Sequence, residues 1–219
     1  MELCYLLDYF TNCNNLAEQY PEKIKELREL WRQEAEKYKV LPLLGGMRFH
    51  FGMVPQMRVK SRFTFYDDVQ NIASQIIAPI HNHSYTISAE LEIPWDGAEG
   101  VIVAEADHLG GFSLFVQDGK LMHTYSMMGI LVYHQESDSL LPTGKVNVRL
   151  EFAADEPKPA TGGNVTLYVN DEPAGGGRID HTIPFRFSGY ARMDIGRDSG
   201  PLVDRSYASK SPFPFHGKP

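Results

Sequence analysis

From about Met47 onward, apolar and polar residues alternate one by one in short runs separated by turn residues. This period of two constrains the chain more than any other feature, because successive side chains of a strand leave opposite faces and only one face is buried. Tyr85, Ile87, Ala89, Leu91 and Ile93 alternate with Thr86, Ser88, Glu90 and Glu92. Val146, Val148, Leu150 and Phe152 alternate with Asn147, Arg149 and Glu151, and Val165, Leu167 and Val169 repeat the pattern. Further strands are predicted over residues 100–106, 112–116 and 121–126. The last two are joined through Asp118-Gly119, where glycine accepts the positive φ of a tight hairpin turn. Gly175-Gly176-Gly177 is read as the opening of a further turn, and residues 155–163, rich in Pro and Gly, as an exposed loop. Many short strands at this spacing build an antiparallel β-sandwich or jelly roll.

Ahead of the strands the period is helical. Ile24, Leu27, Trp31, Ala35 and Tyr38 share one face of a helix predicted over residues 21–38, which opens on Pro21, where the missing N–H costs nothing. Asn15 and Glu18 have capping-box spacing and suggest a shorter helix before it. Pro42 and Gly45-Gly46 end helical structure, so the expected division is a connecting segment over 1–45 and a sandwich domain over 46–219. At 219 residues the chain is long enough for a sizeable core.

A formal net charge of −7 argues against a nucleic-acid partner, which needs a cationic surface to displace counterions. The longest apolar runs fall far short of the roughly twenty residues that span a bilayer, so no membrane partner is expected. No cationic stretch followed by an apolar one stands at the N-terminus; no signal peptide is visible and a cytoplasmic chain is expected. Two cysteines, Cys4 and Cys13, make neither a disulfide framework nor a structural zinc site, and are expected as thiols.

The candidate chemistry has a plainer reading at almost every position. Gly175 to Gly177 lack the lysine of a phosphate loop. His81 and His83 would share a face if they lay in a strand and could chelate, but no third ligand stands nearby, and a polar strand entrance is the preferred reading. Asp194, Asp198 and Asp204, near Gly196 and Gly200, offer hard oxygens that suit calcium. Hydrogen-bonded turn chemistry is preferred there, in a structured segment, and no cofactor is expected. Glu105 and Asp107 face the same way, as in a jelly-roll glucanase pattern of Glu, Asp and Glu, but Gly110 stands where the last Glu belongs. Glu90 and Glu92 belong to the polar face of their strand. No Gly-x-Ser-x-Gly elbow is present in the sequence, so no catalytic residue is assigned.

A family resemblance rests on several short blocks in order. The opening residues Glu2-Leu3-Cys4-Tyr5-Leu6, then Asn14-Asn15-Leu16-Ala17, Pro21-Glu22-Lys23, Leu27-Arg28-Glu29-Leu30-Trp31 and Val40-Leu41-Pro42-Leu43 resemble the segment that follows the catalytic domain in sulfatases. His83 to Ile87, Gly110 to Val116, Asp118-Gly119-Lys120, Ile183 to Phe187, Asp194 to Asp198 and Phe213 to Gly217 resemble the C-terminal region of bacterial arylsulfatases. The family's nucleophile is a formylglycine made within a Cys/Ser-x-Pro-x-Arg motif. Cys4 is followed by Tyr-Leu-Leu and Cys13 by Asn-Asn-Leu, so neither fits. The chain departs from the family where Cys4 replaces a Tyr, where Leu7 and Tyr9 replace acids, and where His81 and His83 stand in place of Lys or Arg.

The fold class expected is therefore a mainly β, antiparallel sandwich or jelly roll of the concanavalin A-like lectin type, preceded by an N-terminal amphipathic helix. The resemblance implies a detached arylsulfatase C-terminal domain, truncated or separately encoded, with a structural or interaction role and no catalysis of its own. Its expected partner is a sulfatase catalytic domain, or a second copy met through the helix face. The alternatives are a glycan-binding module, with Trp95 and Tyr125 as stacking candidates, and a jelly-roll glycoside hydrolase.

Overall fold

The computed structural model describes residues 3–5, 15–38, 40, 61–77, 80–107, 109–185, 187–188 and 190–217. The chain forms two compact units, Met1–Val59 and Lys60–Pro219. The boundary expected at 45/46, the Pro42 and Gly45-Gly46 stops and Cys13 lie outside the described residues.

In the first unit, α1 (Pro21–Lys37) begins on proline as expected, and carries Glu22 in its first turn and Lys37 in its last, each favourable to the helix dipole. Its flank is laced by Lys23–Glu26 and Lys25–Glu22 pairs at 2.6 and 2.8 Å. The shorter helix expected before it is a turn instead. Asn15 Oδ1 accepts from the N–H groups of Leu3 and Ala17, and the Gln19 and Tyr20 N–H groups close back on the Leu16 carbonyl. An Asn side chain that takes local N–H groups offers the backbone a turn in place of a helix.

The second unit is a sandwich of two antiparallel sheets. Its strands are β1 (Ile72–Ala73), β2 (Tyr85–Ile93), β3 (Gly100–Asp107), β4 (Gly110–Gln117), β5 (Lys120–Met127), β6 (Leu131–Glu136), β7 (Gly144–Ala154), β8 (Gly163–Val169), β9 (Glu172–Ile179) and β10 (Arg192–Ile195). The six-stranded sheet has the order β1-β10-β3-β4-β5-β6, and the four-stranded sheet the order β2-β7-β8-β9. The fold is a mainly β, antiparallel jelly-roll sandwich, with one helix N-terminal to it in sequence.

The alternation read from the sequence sets the core. Leu91 and Ile93 from β2, Val146, Val148, Leu150 and Phe152 from β7, and Val165 and Leu167 from β8 meet Ile102, Phe112, Leu114, Val116 and Leu121 of the opposite sheet. The outward residues Thr86, Ser88, Glu90 and Glu92 are exposed.

The six-stranded sheet is covered on its outer face as well. Tyr207 and Phe213, from the C-terminal segment, pack on Val101, Ala104 and Phe115 of that face. The Tyr207 ring stands edge-on to Phe115 at 5.0 Å and stacks on Phe213 at 5.3 Å. Val101 N–H donates to the Phe213 carbonyl, and His216 N–H to that of Glu99. The segment from 202 to 217 is thus a strap over β3, β4 and β5.

Gly175, Gly176 and Gly177 do not open a turn; they lie inside β9. A Cβ on Gly175 would stand 2.3 Å from the Glu136 carbonyl oxygen, and one on Gly177 3.1 Å from the Gln135 side chain. The glycines bring β9 against β6, where Ser137 pairs with Gly175 and Asp138 N–H donates to the Ala174 carbonyl at 2.6 Å. One flank of the sandwich is closed in this way.

Candidate functional site

Strand register places Asp194, Ala104, Ser113, Thr124 and His134 in one row across the outer face of the six-stranded sheet. The strap lies over this row and spends the polar groups on itself. Asp194 Oδ1 accepts from Asn71 N–H at 2.6 Å and Oδ2 from Ser199 N–H at 3.0 Å. Asp198 Oδ2 accepts from the Tyr207 hydroxyl at 2.8 Å and from Val203 N–H at 3.3 Å. Asp204 Oδ2 accepts from the Thr124 hydroxyl at 2.5 Å and lies 3.2 Å from His134 Nδ1, while Oδ1 accepts from Ser206 N–H. All three carboxylates are buried.

Their environments pull in different directions. Burial pushes the Asp198 carboxyl above its ordinary value, against the hydrogen bonds from Tyr207 and Val203, and neighbouring Asp194 adds to the rise. Burial also works to raise Asp204, but hydrogen bonds from Thr124 and Ser206 outweigh it and the group ends below its ordinary value. Among the described residues no group of three or more His, Cys, Asp and Glu side chains is arranged to hold a metal ion. Asp198 and Asp204 tie down the strap and Asp194 holds Asn71 and Ser199, so the three serve separate stretches instead of converging on one point.

Ser113, Thr124, His134 and Tyr207 belong to this network and were missed in the sequence. The available signal was that Ser113 and Thr124 alternate with core residues, which a two-layer reading assigns to solvent. The nearest approach to a relay is Thr124–His134–Asp204. Both oxygens meet the same imidazole nitrogen, Nδ1. A base that moves a proton from hydroxyl to substrate uses one nitrogen for each partner. Thr124 is buried, out of reach of a substrate at the surface.

Between the sheets, Glu105 is buried and Asp107 accepts from the Ser188 hydroxyl. Glu105 lies close enough to Tyr85 and Tyr125 to help push both phenols up, although burial is the larger cause. Tyr125 is 4% exposed; its oxygen accepts from Ile183 N–H at 2.9 Å and its ring packs against Phe187. It is a core residue, because its position on β5 faces the other sheet, and it presents no ring for stacking a surface ligand. His81 and His83 lie in a turn around Asn82, whose φ is 64°, so the shared strand face does not arise; the His81 ring packs on Phe187.

Trp95 is in the open. It is 89% exposed, on the loop after β2. It rims an open depression of about 600 Å³ lined also by Glu92, Pro94, Thr143, Gly144 and Gly217. A flat ring beside a carboxylate and a hydroxyl combines apolar contact with hydrogen-bonding groups. On the first unit, Leu27, Leu30, Trp31 and Tyr38 are exposed, with Trp31 at 50%, while Ala35 is buried. No helix among the described residues is long and apolar enough to cross a membrane.

No family model matches the chain, and no curated protein matches it. Among solved structures the chain is similar to domains LG4-5 of the mouse laminin α1 chain, with 12% identity and a TM-score of 0.45 over 66% of this chain and 35% of that one. It is similar to the native heptameric SAP-like pentraxin of Limulus polyphemus, with 13% identity and a TM-score of 0.36 over 62% of this chain and 60% of that one. It is also similar to sheep galectin-11 in complex with glycerol, with 10% identity and a TM-score of 0.33 over 60% of this chain and 91% of that one. These are likenesses of fold. At such scores they carry no argument about ligand or partner.

Proposed function

We propose that the chain is a non-catalytic sandwich module that works beside a sulfatase catalytic domain. The observation that carries the non-catalytic part is the employment of the buried polar groups. Ser113, Thr124, Asp194, Asp198, Asp204 and Tyr207 bind one another or backbone N–H groups under the strap. The sulfatase part rests on the blocks of resemblance. They coincide with positions that build the sandwich: Asp118-Gly119 makes the β4–β5 turn, Asp198 anchors the strap, and Phe213 packs from the strap onto β3 and β4. The half-exposed Trp31 and its apolar neighbours on α1 supply a face for such a partner.

Two measurements test this reading. Pure chain is expected to leave a chromogenic aryl sulfate unhydrolysed; turnover above a denatured control overturns the non-catalytic part. A sulfatase catalytic domain expressed without its own C-terminal region is expected to form a complex with the chain in analytical ultracentrifugation, weakened by Trp31→Ala. Absence of any complex overturns the partner.

The Trp95 depression favours a second reading, a glycan-binding module. Sugar rings pair an apolar C–H face with hydroxyls, which suits an exposed indole next to Glu92 and Thr143. Retention on a glycan array that is lost in Trp95→Ala supports it; retention unchanged in that variant, or none at all, removes it.

A further inference from the structure

The two flanks of the sandwich differ. On one, the glycines of β9 let it meet β6. On the other, the four-stranded sheet ends at β2 and the six-stranded sheet at the two-residue β1. β2 is nine residues long and pairs with β7 at all nine positions without a bulge. Between Tyr85 and Ile93 it has no Lys, Arg or Pro. Shortness, charge, proline and bulges keep edge strands from pairing, and of these β2 has only the charges of Glu90 and Glu92. Among the described residues its backbone is bonded only to β7. The core-facing Tyr85, Ile87 and Ala89 are half-buried, whereas Phe152, Leu150 and Val148 opposite them on β7 are buried. Among the described residues, this edge of the core is less buried than the strand beside it.

We propose that β2 is a self-association edge, to which a second copy of this chain adds its own β2 antiparallel about a two-fold axis at Ala89. The four-stranded sheets of the two copies then run on as one. This register uses the whole strand and matches chemistry along it. Tyr85 faces Ile93 and Ile87 faces Leu91 on the core side, while Thr86 faces Glu92 and Ser88 faces Glu90 on the solvent side. Each carboxylate directly faces a hydroxyl that donates to it, and carboxylates of the two copies meet only on the diagonal between the two Glu90 residues. A slip by one residue would turn the core face of the second copy to solvent. The acids of this edge, with no base among them, are complemented by the hydroxyls of the same edge, and this is why the occupant is a second copy.

Light scattering on the full chain is expected to give twice the 24.7 kDa chain mass. Ser88→Glu places a carboxylate against Glu90 of the second copy, twice per dimer, and is expected to weaken association by about tenfold or more with the circular dichroism unchanged. Ala89→Cys, in a chain whose Cys4 and Cys13 are replaced by serine, is expected to cross-link on mild oxidation, because facing Cα atoms then lie within disulfide reach. Thr86→Cys, which faces Glu92, is expected not to. A single-chain mass at every concentration overturns the proposal. So does a dimer indifferent to Ser88→Glu that fails to cross-link in Ala89→Cys, and so does a dimer abolished by Trp31→Ala, which would place the contact on α1.

Discussion

His123 is a fully buried imidazole on the inner face of β5, with Nδ1 donating to Gln135 Oε1 at 2.6 Å and Nε2 without a hydrogen-bond partner among the described residues. Burial, opposed by the Gln135 bond and aided by His134, brings its pKa down to about 4. The sign follows from proton uptake. Below the unfolded value of about 6.5 the unfolded chain binds a proton that the folded chain refuses, so stability present above that pH is lost as pH falls toward 4. The loss attributable to this residue is roughly 3 kcal/mol. Urea unfolding between pH 7 and pH 4 is expected to show wild type losing that much more than His123→Met; equal losses would contradict it. Asp198 makes the second case at this scale. Asp198→Ala leaves Val203 N–H without its acceptor and the Tyr207 hydroxyl to its longer bond with Ser113 Oγ in a buried site, and is expected to cost about 2–4 kcal/mol. Calorimetric titration with calcium is expected to show no binding in wild type; tight binding lost in Asp198→Ala would return these carboxylates to a metal role.

Elements repeat the lesson of the glycines. At Gly175 a side chain is excluded on two independent grounds, the φ of 135° and the mere 2.3 Å that would separate its Cβ from the Glu136 oxygen. Gly175→Ala is expected to part β9 from β6 and lower stability by about 2–4 kcal/mol, with faster hydrogen exchange at Asp138 N–H as the local signature. An unchanged exchange rate there would show that the flank closes by other means. The same element marks how far the sequence could be read. Strands β2, β7 and β8 were legible because one of their faces meets solvent and the alternation survives. The hairpin at Asp118-Gly119 was legible because its turn chemistry is local. β9 was not, since three consecutive glycines carry no alternation and the demand for them comes from β6, distant in sequence. Tyr125 misled for a related reason: on β5 both faces are covered, so its chain position did not tell which face it took. The role of Asp194, Asp198 and Asp204 as acceptors was foreseeable from Asp in turns, but the distant partners Asn71 of Asp194 and Thr124 of Asp204 were not.

For the whole molecule, the strap decides which sheet face is available. It covers the six-stranded sheet and leaves the outer face of the four-stranded sheet to water. Removing residues from 202 onward is expected to expose Val101, Phe115 and the row of Ser113 and Thr124 together. Light scattering and dye binding on the truncated chain are expected to report aggregation; a monodisperse chain that binds no dye would show that the face tolerates water. The strap has a further consequence in time. Val101 bonds to Phe213 and Glu99 to His216, so a strand near residue 100 waits for residues made more than a hundred positions later. Until that segment has been made and has folded back, β3 and β4 keep one greasy face uncovered.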